Sequence, residues 1–398
     1  MGTAELSILI KEATKAEVKM NVASRFTKKR WILTVIGLIL YAADIVLDII
    51  LGLKYLKNGH LVWGILTLVF ILCASVCTQI FSYMWFRDDK LRDGTKESWH
   101  LIIGLHLSHM GIFTRYSQML IDSFKVVWCK STTLGNDHLK LFGQATDLSM
   151  LRLFEAFLES VPQLLLQLYI FLLGHGHNSV IHYLSMAASF LNVAWAVVDY
   201  RRCLRRSLPQ LKEMPNGLPT IVYLLYKLFA ISARIFSLSL LLVLSPFSIL
   251  YLALVWFLST VWAFFQKTDF CTSTALEILY RAIVGIILVF TFFNIQGQGT
   301  RAHMPIYYIF YVLQSISAPL FLWMWKPEVL RYEYGTGIII AGLSIGLGLL
   351  CVYYGLLHQG GEEEGAEERV ADQDEVDNMH RQVSESVISP RMKKFLQI

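Results

Sequence analysis

The chain has 398 residues, 55% of them hydrophobic and 16% charged, with a mean hydropathy of +0.51. A soluble domain carries about a quarter charged residues, so a water-soluble globular protein is excluded, and several runs reach the roughly 20 apolar residues that cross about 30 Å of hydrocarbon. The formal net charge of +5 gives no reason to expect a nucleic-acid partner and acquires meaning only once it is mapped onto loops.

Residues 1–30 are polar and basic rather than apolar, so they read as a cytosolic N-terminal segment and not as a cleavable signal peptide. The cluster Lys28, Lys29, Arg30 directly precedes the first span and holds that end in the cytosol. Residues 31–53 form the first span, with Asp44 and Asp48 one turn apart on one face. Residues 61–86 form the second, followed by Arg87, Lys90, Arg92 and Lys96. The apolar stretch 101–121 is interrupted by His106, His109 and Arg115 and is expected to be half-inserted. Residues 122–146 read as a polar connector, 148–173 as the third span and 180–200 as the fourth. Asp199 closes the fourth span, and four arginines follow within residues 201–206 of a basic linker, 201–217. Those arginines mark a cytosolic loop, and they also suit anionic inner-leaflet lipid.

Residues 218–244 form the fifth span, with Lys227 and Arg234 inside it, and 247–265 the sixth. The segment 277–295 is short, opens on Glu277 and Arg281, and leaves through a polar, glycine-containing exit, so it reads as a second half-inserted helix. Spans at 305–325 and 336–357 complete the set, and 358–398 is an acidic tail with no run long enough to cross a bilayer. The expected fold is therefore an all-α polytopic membrane protein with eight transmembrane helices and two half-inserted helices. They are arranged as two pseudo-repeats, 31–200 and 218–357, with both termini cytosolic. Duplicated halves with broken helices often place a functional path between the halves.

One stretch breaks the apolar pattern. Arg152, Glu155, Glu159, Gln163 and Gln167 recur every three or four residues within the third span, which confines them to one stripe of the helix. An ionised group at a bilayer centre costs about 2.5–3.5 kcal/mol on insertion scales. The stripe must then meet protein, water or lipid headgroups. With Asp44, Asp48, Asp199 and Arg234 it forms the main candidate constellation, either a polar track for headgroups or ions or a buried network that fixes helix register. Pro162 removes a backbone donor beside the stripe and predicts a kink there.

No metal, cofactor or catalytic motif stands out. No Walker loop, dinucleotide-binding turn, G-x-S-x-G or HExxH is present, and the six cysteines show neither C-x-x-C nor zinc-finger spacing. His106 and His109 share a face but lack partners for a metal site. Gly342 and Gly346 make a GxxxG that points to close helix packing. In the tail, Asp374, Glu375, Val376 and Asp377 spell the tetrapeptide preferred by executioner caspases, in a polar setting of the kind where proteolysis concentrates. Cleavage after Asp377 would release a piece whose end, with Ile388, Met392, Phe395 and Leu396 beside Lys393 and Lys394, is apolar and basic enough to dock on a cytosolic vestibule as an inhibitory tail.

The segments TDLSMLRLFEAFLESVPQLLLQLYI, AWAVVDYRRCLR, LEILYRAIVGIILVFTFFNIQGQGT and RMKKFLQI resemble the XK-related family, specifically its apoptotic branch. The resemblance implies a plasma-membrane protein that scrambles phospholipids without ATP, exposing phosphatidylserine once a caspase removes the tail. It places the family's intramembrane acids on Asp44, Asp48, Glu155, Glu159 and Asp199 and its cleavage site on Asp377. Some family members associate with a single-span immunoglobulin-type glycoprotein, a chaperone partner suggested here by resemblance alone. The N-terminal segment, the long acidic linker and Asn378 depart from the family pattern. A secondary transporter or channel using the same carboxylates, and a non-transporting structural subunit, are the rival readings of the residues themselves.

Overall fold

The computed structural model describes residues 26–93, 99–128, 135–174, 180–207, 217–266, 268, 270–294, 303–325 and 333–357, and every regular element among them is a helix. The caspase tetrapeptide (Asp374, Glu375, Val376, Asp377) and the tail positions Ile388, Met392, Phe395 and Leu396 lie outside the described residues.

Helices α1 (Lys28–Lys57) and α2 (Leu61–Asp93) form an antiparallel pair joined by a turn at Gly59, where φ is +82°. A Cβ on Gly64 would lie 2.6 Å from Leu56 and 3.0 Å from the Gly52 carbonyl, so glycine is what lets the two backbones approach. Outward, α1 presents Ile39, Val46, Leu47 and Ile50, an apolar surface suited to lipid.

The stretch expected to be half-inserted is two helices, α3 (Trp99–Leu107) and α4 (Gly111–Trp128), with His109 left-handed at φ 60° between them. The nine residues of α3 measure about 14 Å, too short to cross a bilayer. The connector expected over 122–146 proves largely helical: α4 runs to Trp128, and α5 (Gly135–Glu155) starts well before the third span. Leu141, Phe142 and Ala145 are buried, and the apolar contacts they make outweigh the polar composition that suggested a loop.

After α5 the chain makes one π turn, Ala156–Ser160, and continues as α6 (Val161–Leu172). Pro162 explains the turn. It has no N–H to offer the Leu158 carbonyl and its ring crowds the preceding turn, so the helix widens and Val161 N–H donates to Ala156 O. Leu151, Leu153, Phe154, Phe157 and Val161 are fully buried, which encloses this helix in protein on most sides.

Helix α7 (Val180–Ser207) leads to α8 (Leu218–Leu244), which packs against α12, α6, α7 and α11 and forms the axis of the second half. Helices α9 (Ser248–Phe265) and α10 (Thr274–Phe290) pair with each other, followed by α11 (His303–Trp325) and α12 (Glu333–Val352), the last ending in a π turn, Tyr353–Leu357. Gly342 and Gly346 of the GxxxG sit against Ala233 and Ala230 of α8, so the motif serves close packing within the chain.

By length and composition, six described helices can cross a membrane: α1, α2, α8, α9, α11 and α12 with its π turn. The α5–α6 helix, loaded with Arg152, Glu155 and Glu159, is not among them, nor is α7. The chain is an all-α, multi-pass membrane protein.

Candidate functional site

The π turn sits inside the polar stripe, and three elements converge there. Helix α1 contributes Asp44 and Asp48. The α5–α6 helix contributes Arg152, Glu155, Glu159, Gln163 and Gln167, and α7 adds Asn192, which the sequence reading did not single out. Arg152 Nη1 lies 3.4 Å from Glu155 Oε2, and its Nη2 donates to Asn192 Oδ1 at 3.1 Å. Asn192 Nδ2 in turn donates to Asp44 Oδ2 at 3.2 Å. The guanidinium also sits 4.9 Å from the Tyr41 ring centroid, a second unforeseen contributor.

Further along the stripe Asp48 approaches Glu159 and Gln163, yet Glu159 Oε1 and both amide atoms of Gln163 have no hydrogen-bond partner among the described residues. Gln167 Oε1 is in the same position, whereas Arg152 Nη1 makes no hydrogen bond but keeps its ion pair with Glu155. Each buried, unsatisfied polar group costs about 1–3 kcal/mol, and such groups are normally satisfied by water or ligand atoms. From Arg152 to Gln167 the stripe extends fifteen residues, about 22 Å of helix, most of a hydrocarbon thickness. Glu155 (6%), Glu159 (3%) and Gln163 (2%) are nearly closed off. Asp44, Arg152 and Asn192 are half-buried and form the open edge.

The two remaining constellation members lie elsewhere. Asp199 accepts from Cys203 Sγ at 3.8 Å, and Arg30 Nη2 donates to the same sulfur at 3.1 Å. Tyr116 is within electrostatic reach of both Glu155 and Asp199 and relates the two groups. Arg234 instead serves the end of α10. Its Nε donates to Val289 O at 3.0 Å and its Nη2 to Gln314 Oε1. Lys227 Nζ donates to Thr291 Oγ1 at 2.8 Å and to Phe292 O at 3.2 Å, while Tyr307 donates to Leu288 O at 2.8 Å. A helix end leaves several carbonyls unpaired and carries partial negative charge. Two buried cations and a tyrosine hydroxyl satisfy this one.

The α3–α4 turn is anchored in a comparable way. Gly111 N–H donates to Gln79 Oε1 at 3.0 Å, and His109 Nδ1 lies 2.5 Å from Ser75 Oγ. Arg115 donates through Nε and Nη2 to the hydroxyl and carbonyl of Ser82, both at 3.0 Å, and pairs with Asp147 at 3.7 Å. His106 Nε2 meets Ser82 Oγ at 3.0 Å and Nδ1 the Ile102 carbonyl at 2.8 Å. Both histidines therefore hold a helix break in place. Among the described residues no group of His, Cys, Asp and Glu could hold a metal ion.

The XK-related protein family model matches residues 32–359, which covers all the described helices except the first four residues of α1. The chain belongs to the XK-related family. It is 48% identical over 351 residues to XK-related protein 9 of Tetraodon nigroviridis, covering 84% of this chain and 92% of that protein. It is 33% identical over 342 residues to XK-related protein 8 of the same fish, covering 82% and 83%. To XK-related protein 8 of Pan troglodytes it is 31% identical over 333 residues, again covering 82% and 83%. XK-related membership is consistent with a membrane transport or scramblase-type role and with a non-enzymatic protein. A multi-pass XK-related protein also works in contact with lipid.

Proposed function

We propose that this protein is a caspase-activated, ATP-independent phospholipid scramblase of the plasma membrane that exposes phosphatidylserine during apoptosis. In this reading eight spans and two half-inserted segments form two pseudo-repeats with both termini cytosolic. Headgroups travel along the stripe of Asp44, Asp48, Arg152, Glu155, Glu159 and Gln163 while acyl tails stay in the bilayer. Until the chain is cut after Asp377, the piece that the cut releases, residues 378–398, keeps the route closed.

The observation that carries the proposal is the row of buried polar atoms on Glu159, Gln163 and Gln167 that have no hydrogen-bond partner among the described residues. Each needs a polar partner that the described residues do not supply, and hydrated headgroups supply such partners in sequence. The half-buried edge at Asp44, Arg152 and Asn192 provides the entry. The near-complete burial of Glu155 and Glu159 favours a second reading, a secondary transporter in which these carboxylates bind an ion.

Reconstitution into liposomes separates the two. Purified protein, intact or cut after Asp377, is placed in vesicles carrying a fluorescent lipid, and dithionite bleaches the outer leaflet. Scrambling predicts bleaching beyond half of the signal for cut protein only, without any gradient. Bleaching that stops at half in both preparations, with ion-coupled solute uptake, would replace this proposal by the transporter. Activity of the chain alone also decides whether an immunoglobulin-type partner is needed for function.

A further inference from the structure

We propose that Arg201 and Arg205 of α7, backed by Lys227 of α8, form a binding site for a phosphate anion where α7, α8 and the π turn after α12 meet. This site is distinct from the polar stripe and does not depend on the scramblase reading.

The basic run after the fourth predicted span is not simply a solvated loop. Helix α7 continues through it and turns Arg201 inward, where Nη1 donates to the Tyr354 hydroxyl at 3.1 Å. The guanidinium stacks 4.5 Å from the Tyr223 ring centroid and lies 5.8 Å from that of Tyr353. Lys227, only 2% exposed, lies 5.6 Å from the same Tyr223 ring and 5.1 Å from Tyr226. Two cations therefore share one aromatic wall. Arg205, one helical turn beyond Arg201, is within electrostatic reach of Arg201, Tyr223, Tyr353 and Tyr354.

What distinguishes the cluster is that no carboxylate forms an ion pair with it among the described residues. Arg115, Arg152 and Arg281 each face a carboxylate, those of Asp147, Glu155 and Glu277. The leading electrostatic influences on Arg201, Arg205 and Lys227 come from tyrosines and from one another. The two guanidiniums in this partly buried corner repel, and neutral phenols offset this only in part through cation–π attraction. Arg201 donates to the Tyr354 hydroxyl and has Tyr223 as a second hydrogen-bond partner, which leaves part of its five-donor fork available. Lys227 Nζ is engaged by Thr291 and Phe292, so it contributes field rather than a direct bond. Two forked guanidiniums with free N–H groups, one turn apart, match the bidentate geometry of a phosphate. The site lies on α7 just beyond the fourth predicted span, so the phosphate can belong to a lipid or to a soluble ester.

The test is thermal unfolding of the full chain in neutral detergent, titrated separately with dioctanoyl phosphatidic acid, dioctanoylglycerol and glycerol 3-phosphate. Phosphatidic acid is expected to raise Tm saturably by several degrees and dioctanoylglycerol to leave it unchanged. A matching rise with glycerol 3-phosphate assigns the site to soluble phosphates; a rise with phosphatidic acid alone assigns it to a lipid headgroup. Arg205→Gln should raise the half-saturating concentration at least tenfold without lowering the ligand-free Tm, since it removes a repelling charge. Arg205→Lys, which keeps the charge and loses the fork, should fall between. No saturable rise, an unchanged titration in Arg205→Gln, or an equal loss in the neighbouring Arg202→Gln would overturn the proposal, the last by reducing it to diffuse charge.

Discussion

Asn192 donates from Nδ2 to Asp44 Oδ2 at 3.2 Å, joining α7 to α1 across 148 positions of sequence. The other end of the same amide accepts from Arg152, so one neutral side chain mediates between an acid and a base that do not touch directly. Asn192→Leu removes both bonds and leaves two half-buried ionisable groups each short of a partner. A loss of about 1–3 kcal/mol is expected, read as a lower Tm in detergent. Asn192→Leu and Arg152→Gln together should cost less than the sum of the two alone, because they share that bond.

Helices α9 and α10 approach closely at Gly285 and Thr260. A Cβ on Gly285 would meet Thr260 Oγ1 and lie 3.0 Å from the Thr260 backbone nitrogen. Side-chain rotation relieves the first contact but not the second. Gly285→Ala should therefore destabilise by about 1–3 kcal/mol, as overpacking does, and Thr260→Ala should rescue it only in part. A Tm equal to that of the parent chain would contradict this close approach.

The end of α10 depends on cations reaching from α8. Lys227→Met leaves the Phe292 carbonyl and the Thr291 hydroxyl without their donor, and Thr291→Val removes one of the two acceptors. Each is expected to lower Tm. The double variant should be little worse than Lys227→Met, since both act on one contact. Additive losses would mean that the two residues stabilise the fold separately.

Pro162→Ala restores the N–H whose absence widens the turn before it. The Ala156–Ser160 turn should relax towards ordinary α geometry, rotating Arg152 and Glu155 relative to Gln163 and Gln167. Stability should hold or rise, while lipid transfer by protein cut after Asp377 falls several-fold. Unchanged transfer rates would show that the π turn plays no part in the route.

The tail and the stripe are tested by substitution. Asp377→Ala should abolish phosphatidylserine exposure in cells given a death stimulus, as scored by annexin binding. Glu155→Gln with Glu159→Gln should slow transfer at least tenfold in pre-cut, folded protein. Persistence of full activity in the second case would turn the stripe into a structural network.

Much of this was legible in the residues because the bilayer restricts the options. Apolar runs must be helices there, so Leu61, Leu218 and Ser248 open long helices close to where composition alone would start them. The three- and four-residue recurrence of Arg152, Glu155, Glu159 and Gln163 likewise put them on one face before any neighbour was known. Asn192 was not legible, since one asparagine in an apolar run carries no period. Nor could periodicity distinguish Arg234, bound to a helix end, from Arg152, bound to Glu155 and Asn192. The helical connector at Gly135 was obscured because its buried positions, Leu141, Phe142 and Ala145, are few among polar neighbours.

The sequence by itself determined an all-α membrane protein, the axial order of its charges and its kinship, because helical period and hydrophobic thickness are local properties of a chain. Only the tertiary structure decided which charges meet. Asp44 reaches Asn192, Lys227 reaches Thr291, and Arg201 reaches Tyr354 through contacts that span 148, 64 and 153 positions. Such pairings follow from the rotation and crossing of packed helices, and no short window of residues encodes those angles.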